Sequence, residues 1–235
     1  MSKILIVFPV YNEEEILEEN CLRVLDFCQK NLADDFELVI ADNASTDRTR
    51  EISEELSRKY RRIKSLSLDR KGKGMAIKAA WQKYPTDYYV FMDMDLATDL
   101  KDLPALINEL KNGSDLVIGS RYLKESFLKR SFSRKIVSLL YNLLIKTFFH
   151  CPFHDLAIGF KGANRKIIDE IVPLTRNEKW FFDSELTLLA FIKGFKVKEA
   201  PIKWSDPENR HSKAEVVKIS LEYFKEIIRL KFLNR

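Results

Sequence analysis

Cysteine is scarce in this sequence, with three cysteines among 235 residues. Cys21 and Cys28 lie seven residues apart, which places them on one face of a predicted helix. His150 and His154 flank Cys151, but a fourth ligand at a suitable spacing is lacking, so we predict no zinc site there. The pattern argues against a metal module built on cysteine and indicates reduced, buried thiols in a cytosolic protein.

Long hydrophobic runs are also missing. The most apolar stretch, Ile136–Ile145, includes Ser138 and Asn142 and is far shorter than the roughly 20 apolar residues that cross a bilayer. The apolar segment Ile4–Val10 is short, contains Pro9 and leads into acidic residues, which is unlike a secretory signal peptide. We therefore expect a cytoplasmic protein without a transmembrane helix, soluble or peripheral at the membrane face.

Internal repeats and low-complexity tracts are absent, and hydrophobic residues make up 46% of the chain, which suits a packed core rather than disorder. The charge balance is mildly basic, with 40 Lys and Arg against 35 Asp and Glu. Between Arg121 and Lys146 the basic residues are concentrated, and Glu125 is the single acid. Such a field suits an anionic substrate, an acidic lipid surface or nucleic acid. Nucleic acid is disfavoured because no recognition motif accompanies the basic residues.

Short apolar runs alternate with helix-patterned segments through the first half of the chain. The predicted strands are Ile4–Phe8, Phe36–Ala41, Ile63–Leu68, Tyr88–Met92 and Leu116–Ile118. The predicted helices are Ile16–Leu32, Ser45–Tyr60, Gly74–Tyr84 and Asp102–Lys111. This alternation predicts an α/β fold with a mainly parallel sheet that helices flank on both sides.

The pattern changes after Arg121, where no linker separates the two parts of the chain. The elements predicted there are a basic amphipathic helical stretch at Leu123–Phe149, a strand at Ala157–Phe160, a helix at Trp180–Lys193, a strand at Lys196–Trp204 and a closing helix at Val216–Leu233. We therefore predict one domain over residues 1–235, with a helical extension at its C-terminal end.

Polar residues follow the ends of the predicted strands. Tyr11 and Glu13 come after the first strand, and Asp42 comes after the second. Asp93 follows the fourth strand and Arg121 follows the fifth. Because ligands of such sheets bind outside the carboxyl ends of the strands, we expect this edge to carry the chemistry.

The Asp93-Met94-Asp95 segment is the strongest single motif. Alternate residues of an extended chain face the same way, so both carboxylates can point toward one site. Two neighbouring acids repel unless a cation or a proton neutralises them, and Mg²⁺ or Mn²⁺ suits such oxygen ligands. The alternative is that the acids only end the strand and cap the next helix. The other acids at neighbouring strand ends favour the metal site.

The segment Lys71–Gly74 precedes a predicted helix. Glycine permits close approach of the backbone, and the lysines can meet phosphate at the helix N-terminus. The segment is neither a Walker P-loop nor a dinucleotide-binding turn. A helix-capping turn with solvated lysines remains the alternative for each lysine.

Several motifs together resemble family 2 glycosyltransferases, which share the GT-A fold. Pro9–Glu13 resembles their Pro-x-Tyr-Asn-Glu opening, and Val39–Thr49 is similar to their Val-Asp-Asp-Gly-Ser-x-Asp-x-Thr segment. The second match departs in having Ala41 and Asn43 where acids are common and Ala44 where glycine is common. Further matches are Arg70–Ala76, Gly119–Arg121, Asp155–Lys161 and Phe182–Leu186.

The order and spacing of the motifs, from Pro9 to about Lys213, resemble the dolichyl-phosphate glucose and mannose synthases and their prokaryotic relatives. The resemblance implies inverting transfer of a hexose from a UDP- or GDP-linked sugar to a polyprenyl or dolichyl phosphate. It implies Mg²⁺ or Mn²⁺ on Asp93 and Asp95, and a division into a nucleotide-sugar-binding half, 1–122, and an acceptor half, 123–235. The implied nucleotide-sugar-binding residues are Pro9, Tyr11, Glu13, Asp42, Lys73, Asp93 and Arg121. The implied acceptor- or phosphate-binding residues are Arg134, Arg210, Ser212 and Lys213.

Asp155 and Asp95 are the predicted catalytic residues. Transfer to a hydroxyl needs a general base near the acceptor. A phosphomonoester, whose second pKa is about 6, is already anionic and needs positioning more than deprotonation. Asp155 is thus predicted to be either a base or an orienting group, with a turn-capping role as the structural alternative.

Two questions stay open at the level of sequence. The basic stretch around Phe127–Phe149 is either a membrane-surface contact or an ordinary amphipathic helix packed on the sheet. The acceptor is a lipid phosphate in the preferred prediction and a saccharide or protein hydroxyl in its nearest rival. A nucleotidyltransferase and a non-catalytic sugar-nucleotide-binding module are the more distant alternatives.

Overall fold

The computed structural model describes residues 2–129, 132–205 and 213–233. Within the two helices that begin at residues 132 and 213, the side chains of 132–134, 137, 213–221 and 233 lie outside that description. Among the described residues, no helix is long and apolar enough to span a bilayer.

The described residues form an α/β structure. Its strands are β1 (Lys3–Val10), β2 (Asp35–Asn43), β3 (Ile63–Leu68), β4 (Tyr88–Met92), β5 (Leu116–Ser120), β6 (Phe127–Lys129), β7 (Phe160–Asn164), β8 (Val197–Pro201) and β9 (Lys203–Ser205). Its α-helices are α1 (Leu17–Asn31), α2 (Thr49–Lys59), α3 (Lys73–Lys83), α4 (Leu103–Lys111), α5 (Phe132–Phe149), α6 (Phe182–Ile192) and α7 (Lys213–Leu233). Short 3₁₀ turns lie at Leu100–Asp102 and Val172–Leu174, and a π turn lies at Ile167–Ile171.

Seven of these strands form one sheet in the order β3-β2-β1-β4-β7-β5-β8. The pairs β1–β2, β2–β3, β1–β4 and β5–β8 are parallel, and β7 runs antiparallel between β4 and β5. The prediction of a mainly parallel sheet is confirmed. Strands from both sides of residue 122 contribute to this one sheet, while β6 and β9 pair in a separate two-stranded ribbon.

Helices cover both faces of the sheet, as the alternating pattern predicted. In β1, Leu5 and Val7 belong to one buried cluster with α3 and α6, whereas Ile4, Ile6 and Phe8 belong to the other with α1 and α4. Successive side chains of a strand point to opposite faces, so a continuous apolar run is what a strand buried on both sides requires.

The helix predicted at Ser45–Tyr60 is α2, which begins only at Thr49 because the amides of Thr46 and Arg48 donate to the side chains of Asn12 and Glu14.

Three further predicted elements differ from the structure. The strand predicted at Ala157–Phe160 is β7, which begins at Phe160, because the chain up to Gly159 is a turn packed against Asp93. The stretch predicted as one helical segment from Leu123 contains the strand β6 before α5 begins.

The third difference concerns the strand predicted at Lys196–Trp204, which is two strands, β8 and β9. Pro201 has no N–H to continue the β8 ladder. The next residue, Ile202, donates to the Ser120 carbonyl and accepts from the Phe127 amide, so the chain passes from the main sheet to the ribbon there. A period-two apolar pattern does not reveal such a change of partner.

Candidate active site

Asp93 begins the tight turn that follows β4, and Asp95 lies within it. Between them, Met94 is buried, and its carbonyl accepts from the Asn20 side chain of α1 at 2.9 Å. Leu96 has a φ of 50°, and the Ala97 amide donates to Asp95 Oδ1 at 3.1 Å. The Asp93 side chain keeps about 42% of its surface exposed. The turn therefore places both aspartates at the carboxyl end of β4, but Met94 and Asp95 form the turn itself and are not in the extended conformation from which a common direction of the two carboxylates was predicted.

Lys73, the first residue of α3, reaches this edge as a buried cation. Its Nζ lies 2.9 Å from Asp93 Oδ1 and 3.0 Å from Asp183 Oδ2. Burial lowers the pKa of Lys73, but the charges of Asp183 and Asp93 outweigh burial and raise it above its ordinary value. In this structure the lysine predicted to meet phosphate is therefore paired with two carboxylates.

The turn before α3 is held by close packing. The Gly72 amide donates to the Asn43 side chain. A Cβ on Gly72 would lie 2.5 Å from the Glu178 carbonyl oxygen, and a Cβ on Gly74 would lie 2.5 Å from the Phe182 Cβ. The Met75 amide also donates to the Glu178 carbonyl at 3.0 Å. Glycine at these positions lets the chain approach the segment that precedes α6, which brings Lys73 to Asp183.

The predicted nucleoside-binding residues lie after β1 and at the end of β2. Asp42 is almost completely buried and accepts from the Ser45 amide at 3.1 Å. The Tyr11 ring lies beneath the Lys71 ammonium, which is 3.3 Å from the ring centre. The Glu13 amide donates to the Thr49 hydroxyl at 2.8 Å, which joins this turn to α2.

The structure also describes the backbone at two further positions of the matched motifs, Ala44 and Pro9. Ala44 has a φ of 60°, the left-handed region that favours glycine, which fits the glycine common there in the family motif. Pro9 lies inside β1, where it pairs in register with Ala41 of β2. The structure thus places Pro9, Tyr11, Glu13 and Asp42 along one edge with Asp93.

Arg121 and Asp155 form a buried ion pair at the end of β5. Asp155 Oδ2 accepts from the Arg121 Nε at 2.7 Å and from its backbone amide at 3.1 Å, and Oδ1 accepts from Nη2 at 2.8 Å. Glu199 of β8 fixes the same turn, because its Oε1 accepts from the His154 amide at 2.7 Å and from the Asp155 amide at 3.1 Å. The Arg121 guanidinium also lies 5.2 Å from the Trp204 ring centre. Both oxygens of Asp155 are thus engaged by Arg121.

Several polar residues beside these were not given a role from sequence. Asp183, buried at the start of α6, belongs to a matched motif but carried no assignment. Lys161 of β7 is fully buried and donates to the Leu156 carbonyl at 2.9 Å, and burial lowers its pKa to about 8. Tyr141 of α5 donates to the Ser184 hydroxyl at 2.6 Å. The sequence sign available for Asp183 was its place in a matched motif, and the local pattern gave none for Lys161 or Tyr141.

Other predicted residues fall at the limits of the description. Arg134 lies in α5 and Lys213 begins α7, but both side chains lie outside the described part of the chain, as do residues Arg210 and Ser212 entirely. The structure therefore neither joins these four residues to the site nor separates them from it.

Asp93 and Asp95 fit a divalent cation whose remaining ligands come from a bound substrate. No group of three or more His, Cys, Asp or Glu side chains among the described residues is arranged to hold a metal ion alone. Asp93 and Asp95 supply hard oxygen ligands at an exposed edge, and Mg²⁺ or Mn²⁺ is commonly bound by one or two carboxylates plus phosphate oxygens. Gly159 leaves room there, because a Cβ would lie 2.2 Å from Asp93 Oδ2.

Comparison with known proteins identifies the family. Residues 5–172 match the model of the glycosyl transferase family 2. The chain is 31% identical to glycosyltransferase AglD of Haloferax volcanii over 95% of its own length and 36% of that protein's. It is 27% identical to the dolichyl-phosphate beta-glucosyltransferase of Saccharomyces cerevisiae over 97% of its own length and 74% of that protein's. The chain thus spans about a third of the first relative and about three quarters of the second.

The fold comparison agrees. The crystal structure of glucosyl-3-phosphoglycerate synthase from Mycobacterium tuberculosis, in complex with Mn²⁺, UDP and phosphoglyceric acid, has a TM-score of 0.74 to this chain at 18% identity. The match covers 98% of this chain and 78% of that one. The chain belongs to glycosyltransferase family 2, and the predicted GT-A-like α/β fold is confirmed.

Proposed function

We propose that this chain is an inverting glycosyltransferase that moves a hexose from a nucleoside diphosphate sugar, of the UDP-glucose or GDP-mannose type, to a polyprenyl or dolichyl phosphate. Family membership supports the reaction class. The name of the yeast relative, a dolichyl-phosphate beta-glucosyltransferase, supports the acceptor. The Mn²⁺ and UDP bound in the mycobacterial structure support a metal-dependent donor site.

On the donor side, Asp93 and Asp95 are the proposed ligands of Mg²⁺ or Mn²⁺. Such a cation, when bound, stabilises the negative charge that develops on the leaving diphosphate. Tyr11, Glu13 and Asp42, along the neighbouring strand ends, hold the nucleoside in this proposal. The exposed side of Asp93 faces the same edge, so the diphosphate and the nucleoside share one continuous surface.

On the acceptor side, the observation that carries the proposal is the engagement of Asp155. Both of its oxygens accept hydrogen bonds from Arg121, and the side chain is fully buried, so in this structure it presents no surface to an acceptor hydroxyl. An acceptor that is already anionic requires no general base, and a phosphomonoester meets that condition near neutral pH. We therefore assign Asp155 the orienting role: it fixes the Arg121 guanidinium, which stays a proposed contact of the donor sugar nucleotide, and Arg134, Arg210, Ser212 and Lys213 are the proposed acceptor residues.

Contact with a membrane surface fits the exposed side of α5. Ile136, Leu139, Leu140 and Leu143 are all exposed there, and their spacing is that of one helical stripe. Together with the basic residues of this region, the stripe has the composition of an interfacial helix. Pelleting with anionic vesicles checks this proposal, and we expect a Leu140→Glu/Leu143→Glu variant to lose it.

The decisive experiment compares acceptors and donors in one transfer assay. Wild-type protein is supplied with UDP-glucose or GDP-mannose, with Mg²⁺ or Mn²⁺, and with a polyprenyl phosphate or a saccharide or peptide hydroxyl acceptor. We expect transfer to the lipid phosphate, and we expect Asp95→Ala to lower kcat by at least a factor on the order of 10². Asp99→Asn, four residues further on in the same segment, serves as the control and retains activity.

Each rival predicts a different result. Transfer to a hydroxyl acceptor with no turnover on any prenyl phosphate contradicts the proposed acceptor. Release of pyrophosphate from a nucleoside triphosphate indicates a nucleotidyltransferase. A chain that binds nucleotide sugars and transfers nothing, with or without Asp95, is a binding module.

A further inference from the structure

Lys73, Asp93 and Asp183 form one ionic cluster that joins the proposed metal ligands to the first turn of α6. The Lys73 ammonium contacts both carboxylates at 2.9 and 3.0 Å. The side chains of Lys73 and Asp183 are 6% and 2% exposed, whereas that of Asp93 is 42% exposed. Of the two carboxylates, Asp93 alone offers a ligand a surface to approach from solvent.

The Asp93 carboxylate already has one cationic partner. Its Oδ1 accepts from Lys73, while the absence of a side chain at Gly159 leaves space beside Oδ2. A divalent cation at Asp93 would have to share this carboxylate with a buried ammonium group. Because like charges this close repel strongly, loss of the Lys73 contact favours metal binding.

Asp183 has an unused acceptor for the same ammonium. Its Oδ2 accepts from Lys73, but its Oδ1 is buried and has no hydrogen-bond partner among the described residues. A buried carboxylate oxygen without a partner is costly. The Lys73 ammonium carries three donors, so a small shift toward Asp183 satisfies both of its oxygens.

The backbone beneath Lys73 restricts where the ammonium can go. The turn is fixed by the contacts of Gly72 with Glu178 and of Gly74 with Phe182, which leave no space for a Cβ. Lys73 therefore stays within reach of Asp183 even when it leaves Asp93. A lysine on a freely moving loop would instead swing into solvent.

We propose that Asp183 is a positioning residue for Lys73, and that the Lys73 ammonium is an exchangeable counter-ion of Asp93. Without a divalent cation, Lys73 neutralises Asp93 and keeps the carboxylate in place. When a cation binds, Lys73 leaves Asp93, keeps its proton and is held by both oxygens of Asp183. This inference rests on the proposed metal site, and it adds how the Asp93 carboxylate is neutralised and held in place when no metal is bound.

The test is the dissociation constant for Mn²⁺ alone, measured by isothermal titration calorimetry without nucleotide. We expect Lys73→Met to bind Mn²⁺ roughly tenfold more tightly than wild type. A charge this close shifts the pKa of a carboxylate by about one unit or more, which is a tenfold change in its affinity for a proton, and we expect a similar change in its affinity for a cation. We expect Asp183→Asn to bind roughly tenfold more weakly, because Lys73 then depends on Asp93 alone. A purely structural role would lower the melting temperature of both variants without shifting the two affinities in opposite directions.

Two further variants separate direct contact from general charge. Lys78→Met removes the same charge from α3, where the Lys78 Nζ lies 5.9 Å from the Phe182 ring centre, and should stay within about twofold of wild type. The double variant Lys73→Met/Asp183→Asn removes one charge of each sign and should still bind more tightly than wild type.

The proposal is overturned if folded Lys73→Met binds Mn²⁺ no more tightly than wild type, if Asp183→Asn binds more tightly, or if no variant binds at all. Transfer activity is measured separately on the wild-type protein. Mn²⁺ affinities that shift as expected in a protein without transfer activity support the inference and contradict the proposed function alone.

Discussion

Gly159 shows how a single missing methyl group shapes the candidate site. A Cβ at this position would lie 2.2 Å from Asp93 Oδ2 and 2.7 Å from its carboxyl carbon. Gly159→Ala must therefore displace the Asp93 carboxylate or the turn before β7. We expect the variant to fold, to bind Mn²⁺ at least tenfold more weakly and to lose most transfer activity, because a misplacement of about 1 Å can cost 10²-fold in rate. Calorimetry and the transfer assay check this.

Gly162→Ala is the matched control for this prediction. Its Cβ would meet the Leu106 and Leu110 side chains at 2.4 and 2.8 Å, away from any carboxylate. We expect this variant to lose stability through overpacking, by about 1–3 kcal/mol, while its Mn²⁺ affinity is unchanged. Equal loss of metal affinity in the two variants would show that Gly159 acts through general stability.

The Arg121–Asp155 pair gives a second prediction at the scale of the residue. Both side chains are buried, so Asp155→Asn leaves the Arg121 charge without its carboxylate and should lower the free energy of unfolding by about 3–5 kcal/mol. The double variant Arg121→Met/Asp155→Asn removes the stranded charge and should recover part of that loss. Urea unfolding of the single and double variants measures both values. A double variant less stable than Asp155→Asn would contradict this account.

For single residues, the sequence predicts where a functional side chain lies in the fold better than it predicts which side chain it contacts. Asp93 and Asp95 were located because they follow an apolar strand, which is a local pattern, whereas the extended alternation assumed for the pair is replaced by a turn at Met94 and Asp95. The partner of Lys73 is Asp183, which is 110 residues away, and nothing in either local pattern joins them. The contact exists because two glycines let separate segments pack closely, which becomes visible only with the fold.

At the scale of the element, β7 shows where local pattern fails. The parallel strands were predicted from apolar runs between helices, and they are present. The strand β7 instead enters antiparallel between β4 and β5, and it contains a buried lysine and Gly162. The burial of β7 depends on β4 and β5, which are far from it in sequence. The local pattern therefore placed the start of the strand at Ala157, three residues before the point where β7 begins.

Glu185 of α6 connects two elements that the sequence did not relate. Its Oε2 accepts from the amides of Arg176 and Asn177 at 3.0 and 2.7 Å, and its Oε1 lies 2.5 Å from the Arg229 Nη2 of α7. The carboxylate is 1% exposed. This one side chain therefore fixes the segment before α6 to the closing helix.

We expect Glu185→Gln to loosen that segment, because an amide has one acceptor oxygen and no charge for Arg229. Amide exchange at Asn177 should become roughly tenfold faster or more, which corresponds to about 1.4 kcal/mol, and trypsin should cut after Arg176 more readily. Exchange mass spectrometry and limited proteolysis measure these effects.

Glu178→Gln is the control for this prediction. Glu178 lies in the same segment, but its side chain is 49% exposed and 3.8 Å from Arg70. Such a surface pair contributes little, so exchange at Asn177 should not change. Equal acceleration in both variants would mean that loss of any carboxylate in the segment is sufficient.

At the scale of the whole molecule, the sheet unites the two predicted halves of the chain. The strand β7 lies between β4 and β5, and β8 pairs with β5 along its length. The proposed donor residues follow strands of the first half, whereas Asp155 and Asp183 come from the second. The donor and acceptor surfaces are therefore built on one sheet, and the sequence division at residue 122 does not separate their supports.

Global stability should depend on alkaline pH through two thiols of α1. Cys21 and Cys28 are fully buried beside the sheet, and burial raises the pKa of each from 9.0 to about 12. In the unfolded chain these thiols lose their protons above pH 9, while in the folded chain they keep them until about pH 12. The folded state then binds more protons than the unfolded state, so the contribution to stability is complete below pH 9 and is lost progressively as pH rises toward 12.

We expect wild-type protein, kept reduced, to lose about 1–2 kcal/mol for each thiol in its free energy of unfolding between pH 8 and 10.5, relative to the change in a Cys21→Ala/Cys28→Ala variant. The variant starts lower at pH 8 because it lacks two buried sulfur atoms. Its curve should then fall less steeply, since tyrosines and other groups titrate equally in both proteins. Urea unfolding across this range measures the difference. Parallel curves would show that water reaches the thiols of α1, and that the face of the sheet beneath α1 is less closely packed than the structure indicates.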